Sequence, residues 1–374
     1  DTDETLKLFD EKLNCNSTAT IFTISYDFGL RLETIPLREQ KSRSVQEPDV
    51  FMVTFDTLII HNYKTSKTYL QGNKRRFDEI FNRISETASG IDEQLSETSR
   101  PLVSSNFTKV EYIEAVQKIR ELIKQGETYQ TNLTQQFRAE LGINTSPQRI
   151  FSTLRNSHPG AFSAFIKRID DYVVSISPER FAKISEGKII TSPIKGTRER
   201  GLNEESDRQL ARDLTSSEKD RAENTMIVDL LRNDIGRVCE FGSVKVEKLC
   251  ELETHPTLFH LVSTISGKLK NDVAPSEIIK AIFPCGSITG CPKISTMKLI
   301  DNLEPANRGL SMGAIGYCDF DNNIEMSVAI RTMVVRNNEA LFNVGGGIVI
   351  DSDPESEYEE SLLKAKALLA ALNS

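Results

Sequence analysis

Lys195 stands in "TSPIKGTRERG", two residues after a proline and just before a glycine. A solvated hairpin could use any polar residue there, so the lysine is either surface decoration or an amine kept for chemistry. A free lysine has a pKa of about 10.4 and presents almost no neutral amine at pH 7, so nucleophilic chemistry needs surroundings that depress that value. Glu179, in "SISPERF" just after Pro178, lies between two strand-like runs and reads as a partly buried general acid or as a turn residue. Two carboxylate pairs share one spacing: Asp220 and Glu223 in "EKDRAENTMIVDL", and Glu357 and Glu360 in "PESEYEESLL". A separation of three puts each pair on one helix face. Facing each other, the pairs would make an oxygen-rich site suited to Mg²⁺. Taken separately, they would only favour the dipoles of two helix starts.

Other segments are equally two-sided. Gly345, Gly346 and Gly347 in "NVGGGIVIDSDPESE" follow a strand and precede a helix. They would let backbone N–H groups approach an anion, or would serve a sharp turn or bulge. In "FPCGSITGCPK", Ser287, Thr289 and Lys293 sit at a helix start, where anion binding and plain capping both fit. Arg331 in "MSVAIRTMVV" interrupts an apolar strand, as the far end of a salt bridge or as a bidentate carboxylate clamp. His260 in "LFHLVS" is a hydrogen-bonded core residue or a site residue.

The elements that must position these residues follow from periodicity. Residues 18–71 alternate apolar and polar and predict strands, followed by a helix in "RRFDEIFNRISETA". Residues 88–106 are polar and aperiodic, which predicts a linker. "FTKVEYIEAVQKIRELIKQGE" predicts an amphipathic helix with a Thr108–Glu111 capping box, a stripe of Ile113, Val116, Ile119 and Ile123, and a stop at Gly126. Strands are expected at 129–138, 161–167, 171–176, 180–185, 188–191, 260–267, 312–320, 324–336 and 340–345. Helices are expected at 207–235 and after Asp353, with Pro354 in the first turn. The reading is an α+β fold of large antiparallel sheets with helices outside, in two regions: a strand-rich 1–103 and a catalytic 104–374.

Composition narrows the function. A net charge of −8 argues against a general binder of nucleic acid or anionic membrane. Six scattered cysteines without a CxxC pair, and only four histidines, leave no zinc pattern and favour a reducing, cytoplasmic compartment. No apolar run approaches the ~20 residues of a membrane span. The chain opens without Met, which suggests a processed or trimmed start.

"SPIKGT", "SPERF", "MIVDLLRNDIGRVC", "FHLVSTI", "GSITGCPK", "IRTM" and "GGGIVIDSDPESEYEES" occur in one order over about residues 104–372. In that order and wording the chain resembles the chorismate-utilising enzymes, among them anthranilate synthase component I, aminodeoxychorismate synthase component I, and isochorismate and salicylate synthases. The earlier "FTISYDFGLRLETIP" resembles the first two. The resemblance implies two antiparallel sheets with the active site deep between them. It places Mg²⁺ on Asp220, Glu223, Glu357 and Glu360, with Asp220 the shorter arm where relatives often carry Glu. It implies that Arg331 and Tyr317 hold the enolpyruvyl carboxylate beside the Gly345–Gly347 backbone. His260 and Ser287 match positions near the substrate ring, and His260 joins Lys195 and Glu179 as a catalytic candidate.

Within the family, anthranilate synthases usually carry Ala where Lys195 stands, whereas many aminodeoxychorismate synthases carry Lys. The expectation is therefore conversion of chorismate and ammonia to 4-amino-4-deoxychorismate, for para-aminobenzoate and folate biosynthesis, through a Lys195 adduct with Glu179 as acid. The isochorismate and salicylate synthases carry a water-activating lysine where this chain has Gln130, and an amide cannot act as that base. Ammonia would come from a separate glutaminase (glutamine amidotransferase) subunit, since no glutaminase nucleophile motif is evident. The alternatives are anthranilate synthase component I, releasing pyruvate, and a non-catalytic chorismate-binding subunit. The Leu-Leu-Glu-Ser type segment with which many anthranilate synthases sense tryptophan is not visible near the start of the chain.

Overall fold

The computed structural model describes residues 1–36, 47–87, 101–142, 145–256 and 258–373. In chain order it begins with α1 (Thr2–Lys12), β1 (Ala19–Ile24), α2 (Tyr26–Leu32), β2 (Val50–Phe55), β3 (Thr57–Asn62), β4 (Lys67–Gly72) and α3 (Phe77–Thr87). β5 (Leu102–Ser105), α4 (Lys109–Lys124), β6 (Gln130–Glu140), α5 (Pro147–Ser157), β7 (Phe162–Lys167) and β8 (Tyr172–Ser177) follow. Next come β9 (Arg180–Ser185), β10 (Lys188–Ser192), β11 (Ile194–Glu199), α6 (Glu204–Ser216), α7 (Glu218–Gly236), β12 (Lys245–Thr254) and β13 (Leu258–Lys268). The last are α8 (Pro275–Ile282), β14 (Gly290–Cys291), α9 (Lys293–Leu303), β15 (Ala314–Cys318), β16 (Ile324–Val328), β17 (Thr332–Arg336), β18 (Glu339–Ile348) and α10 (Pro354–Ala371).

Two antiparallel sheets carry the fold. The first runs β11-β13-β10-β9-β16-β15-β1-β2, with β12 also paired to β13; the second runs β14-β6-β18-β17-β8-β7, with β5 also paired to β6. One apolar core joins the first sheet to α1, α2, α7 and α8, through Phe9, Phe22, Ile227 and Ile279 among others. Another joins the second sheet to α5 and α10 through Ile150, Phe342 and Leu368. Val173, Ile315 and Val334 pack between the sheets. The layers are therefore helix, sheet, sheet, helix, as the α+β reading expects. β1 pairs with β15 in the register Thr20↔Cys318, so an early strand shares a sheet with a late one.

Local chemistry explains most boundaries. The Thr108–Glu111 capping box opens α4, although its buried stripe is Tyr112, Ala115, Val116 and Ile119, with Ile113 and Ile123 only partly covered. The expected helix over 207–235 is two helices. Ser217 leaves helical geometry and its hydroxyl accepts from the Asp220 N–H, capping α7. Within the expected strands of 18–71, "YDFGLRL" is instead α2, because Ser25 caps it at the Phe28 N–H. Part of the expected linker is β5, paired to β6; residues 88–100 lie outside the described residues. Pattern reading also missed α1, α5, α8 and β12.

The apolar run 324–336 is not one strand, and the difference bears directly on function. β16 belongs to the first sheet and β17 to the second, and Arg331 sits at the crossing with a positive φ of 47°. Glu179 occupies the neighbouring crossing, between β8 of the second sheet and β9 of the first. Strands that switch sheets make the corners of such sandwiches. Here the corners place two of the candidate residues between the sheets.

Candidate active site

A β-bulge aims Lys195. Between Ile194↔Val262 and Thr197↔His260 the register of β11 against β13 slips. A bulge re-aims a side chain out of the strand's normal alternation. Gly196 makes it possible, with a φ of 85° that L side chains rarely adopt. A Cβ there would also come within 2.9 Å of Leu214 Cδ1. Lys195, partly buried, turns inward and its Nζ donates to the Ser287 carbonyl at 2.9 Å. Burial pushes its pKa below the ordinary lysine value; Glu223 and Glu179 oppose that shift, and Lys364 adds to it.

Glu179 is buried, only 4% exposed. Its N–H donates to Ser177 Oγ, and its carbonyl accepts from the Val328 N–H, so both sides of the corner hold the backbone. Its Oε1 has no hydrogen-bond partner among the described residues. Burial raises its pKa, against the pull of the Ser287 hydroxyl and of Lys195. Ser287, on a single 3-10 turn (Gly286–Ile288), thus offers its carbonyl to the amine and its hydroxyl to the acid. The constellation is an amine driven toward its neutral form beside a carboxyl driven toward its protonated form.

His260 lies on β13 opposite Thr197, buried, with Nδ1 unpartnered among the described residues. Burial, with Arg331 and His255 adding, pushes its pKa down to about 4, so the ring is neutral at pH 7. The Arg331 guanidinium makes no ion pair among the described residues, and burial lowers its pKa. A half-buried, unpaired guanidinium whose charge is felt by an imidazole with a bare nitrogen is complementary to a carboxylate.

The acidic pairs come from opposite layers. α7 packs on β11 and β13 of the first sheet, and α10 on β18 of the second. Asp220 is held by Arg198 at 3.1 Å. Burial raises the pKa of Glu223; Lys195 and Lys219 lower it, while Asp220 and Glu357 raise it further. Glu357 is buried, accepts from Ser352 Oγ at 2.7 Å and lies 3.5 Å from Lys219 Nζ. Glu360 accepts from Lys364 at 2.7 Å, and Lys364 is the main cause of its lowered pKa. Among the described residues no three acidic, His or Cys groups are gathered closely enough to hold an ion. The donors nonetheless fit a hard cation in type, all being carboxylate oxygen. Asp220, Glu357 and Glu360 are each paired with a side-chain cation.

The glycines are not a turn. Gly345, Gly346 and Gly347 lie inside β18, paired with Thr134, Leu133 and Asn132 of β6. A Cβ at Gly345 would stand 1.9 Å from the Leu133 carbonyl oxygen, so β6 excludes any side chain. Gly346 faces α10, where a Cβ would meet Glu357 Oε2 at 3.2 Å and Glu360 Oε1 at 3.6 Å. Tyr317 is not brought to the cluster. It is half-exposed on β15 opposite Glu325, whose carboxylate is held by Arg180. Two strands over and three residues along from Glu179, it is about 14 Å away at strand spacings.

Sequence reasoning passed over Lys219 and Lys364, whose spacing from nearby acids reads as ordinary helix-surface pairing. It also used Gln130 only as an absence. The Gln130 amide is fully buried beside Gly347, and neither its oxygen nor its nitrogen has a partner among the described residues.

Residues 3–370 match the family described as chorismate binding enzyme. Anthranilate synthase component 1 of Aquifex aeolicus is 37% identical over 353 residues, covering 90% of this chain and 71% of its own. Aminodeoxychorismate synthase component 1 of Escherichia coli is 38% identical over 348 residues, covering 93% and 75%. The crystal structure of anthranilate synthase component I from Streptococcus pneumoniae superposes with a TM-score of 0.86 at 29% identity, over 97% of this chain and 85% of that one. Matched almost end to end by that family and by these relatives, the chain belongs to the chorismate binding enzymes, as a chorismate-utilising synthase of the anthranilate and aminodeoxychorismate synthase component 1 group.

Proposed function

We propose that the chain aminates chorismate at C4, giving 4-amino-4-deoxychorismate for para-aminobenzoate and folate biosynthesis. The observation that carries this reading is the Lys195 amine, aimed by its bulge at Ser287 beside a buried Glu179 with a bare oxygen. Lys195 adds to C2 of the ring, both conjugated ring double bonds shift (C1=C2 to C1=C6, C5=C6 to C4=C5), and the C4 hydroxyl leaves as water with the proton of Glu179. Ammonia then adds at C4, both double bonds return to their first positions, and the C2–N bond breaks to release Lys195 as the neutral amine. Two displacements split one difficult allylic substitution into two easier ones. Arg331 and the His260 imidazole bind and orient the carboxylates and ring.

Mg²⁺ would be held by Glu223, Glu357 and Glu360, with Asp220 at the edge. When bound it would neutralise and orient the anionic substrate. Ammonia comes from a separate glutaminase subunit in this reading, as a heterodimer. No described helix is long and apolar enough to cross a membrane, and six free cysteines accord with the cytoplasm.

The comparisons favour a second reading, conversion of chorismate to anthranilate and pyruvate. The first relative above and the superposing crystal structure both bear the anthranilate synthase name. Incubation with chorismate, Mg²⁺ and ammonium at mildly alkaline pH, followed by mass spectrometry, separates the two. Aminodeoxychorismate without pyruvate is expected; anthranilate with pyruvate would establish the second reading.

A further inference from the structure

Two motifs remain without a role in the chemistry above: "LLRND" in α7 and "GCPK" at the start of α9. The fold joins them. Lys293 is 8% exposed and Asp234 3%, and their charged groups meet at 2.7 Å. The ammonium also donates to the carbonyls of Ile282 and Pro284, each at 3.2 Å. An ammonium has three protons, and all three are used. Lys293 is therefore not an anion-binding residue at a helix start.

A buried ion pair adds little net stability compared with an apolar pair of the same size, so its presence asks for another explanation. The carbonyls it grips lie at the entry to the loop that carries Ser287. Further ties keep that loop in one shape. Thr289 Oγ1 donates to the Cys285 carbonyl at 2.9 Å, and Arg308 donates to the Ile288 carbonyl at 2.9 Å. Gly286 presses on Leu230 of α7, where a Cβ would come within 2.5 Å of Leu230 Cδ2. Lys293 and Asp234 thus fix the loop to the same helix that carries Asp220 and Glu223.

We propose that Lys293, with Asp234, is a positioning residue that sets Ser287 and, through it, the placement of Lys195 against Glu179. The proposal rests on the roles given above to Lys195 and Glu179. A displacement of about 1 Å at a reacting pair can cost a hundredfold in rate, so the clamp should act on kcat and spare substrate binding.

The test uses the full chain with two substitutions together, Lys293→Met and Asp234→Leu, which leave no lone buried charge. With a melting temperature within a few degrees of the wild type, kcat should fall about tenfold or more, while KM for chorismate changes less than about threefold. A parallel measurement needs no substrate: the rate at which trinitrobenzenesulfonate modifies Lys195 at pH 7, followed by peptide mass spectrometry. Loss of a fixed carbonyl acceptor removes a contact that favours the ammonium, so that rate should rise about threefold or more. Wild-type kcat with an unchanged modification rate would overturn the proposal. An equal fall in kcat/KM arising from KM alone would overturn it too. If wild-type protein itself consumes no chorismate, the functional reading fails, and the Lys195 modification rate alone decides the clamp. Should the double variant not fold, Asp234→Asn keeps the shape and removes only the charge. The same two readouts then decide the proposal in the same way.

Discussion

Glu179→Gln separates chemistry from stability in one substitution. The amide matches the carboxyl in size and can still accept from the Ser287 hydroxyl, but it cannot deliver a proton to a departing hydroxyl. General acid catalysis contributes about 10²–10⁴ in rate, equivalent to roughly 3–5 kcal/mol of barrier. kcat should fall by that factor, with KM for chorismate within a few-fold. Stability should move the other way. The folded-state pKa of Glu179 stands above its ordinary value of 4.5, mainly through burial. The stability this group contributes is therefore fully present below pH 4.5 and is lost as pH rises through the folded value. At pH 8 the wild type carries a penalty of about 1.4 kcal/mol for each unit of elevation, and glutamine carries none. With an unfolding entropy of about 2.1 cal/mol/K per residue over 374 residues, each unit corresponds to about 2 °C in melting temperature. The assays are chorismate consumption with ammonium, and thermal melts at pH 4 and pH 8. The variant should melt higher than the wild type at pH 8, with the gap closing at pH 4. Turnover within tenfold of the wild type, or a gap of the same size at both pH values, would refute the reasoning.

Further outcomes are expected at other positions. Lys195→Ala should remove the nucleophile, lowering amination by about a hundredfold or more and abolishing any adduct seen by intact mass; full activity would rule out the covalent route. His260, with its folded pKa near 4 against 6.5 unfolded, contributes stability that is complete above pH 6.5 and is lost as pH falls toward 4, on the order of 3 kcal/mol. Denaturant melts of His260→Asn should lose that part of the slope. Gly345→Ala should prevent folding or lower stability by more than about 3 kcal/mol, since β6 backbone occupies the space, whereas Gly346→Ala should fold and weaken Mg²⁺ binding measured by calorimetry. Arg308→Met should destabilise by about 3–5 kcal/mol in urea melts, because it strands the Glu304 carboxylate, 2% exposed.

Sequence patterning read β8 to β10 well, because strands covered on both faces are short runs rich in Val, Ile and Phe that stay buried along most of their length. It failed where a tertiary contact overrides local preference. "YDFGLRL" becomes α2 through the Ser25 cap and through Gly29, where a Cβ would meet Pro284 at 2.8 Å. The apolar run 324–336 hides a change of sheet, since apolar residues suit both sheets and nothing local marks which one a strand joins. The residue types at Lys195, Glu179, His260, Arg331 and Ser287 are visible in the sequence, but only the family resemblance, and no local pattern, brings them to one site. Their convergence depends on a bulge and two corners that exist only once both sheets have formed. The three glycines lie in a strand and not in the expected turn or bulge, because a glycine run looks the same in a turn and in a strand crowded by its neighbour. Tyr317 was assigned only by resemblance, and its local neighbours are the Arg180–Glu325 pair instead.

The pairing of β1 with β15 also constrains how the molecule is made. Thr20 waits for Cys318, 298 positions later. At about 5–20 residues per second of synthesis, that delay is roughly 15–60 s. During that time the apolar strand "ATIFTI" has a free edge on the side that will meet β15. The same schedule delivers Lys195 long before α10 emerges from the ribosome, so a nascent chain carries its amine but not Glu357 or Glu360. The first sheet closes only once β15 and β16 have been made, and chaperone occupancy of the waiting β1 strand should govern the yield of this protein in a heterologous host.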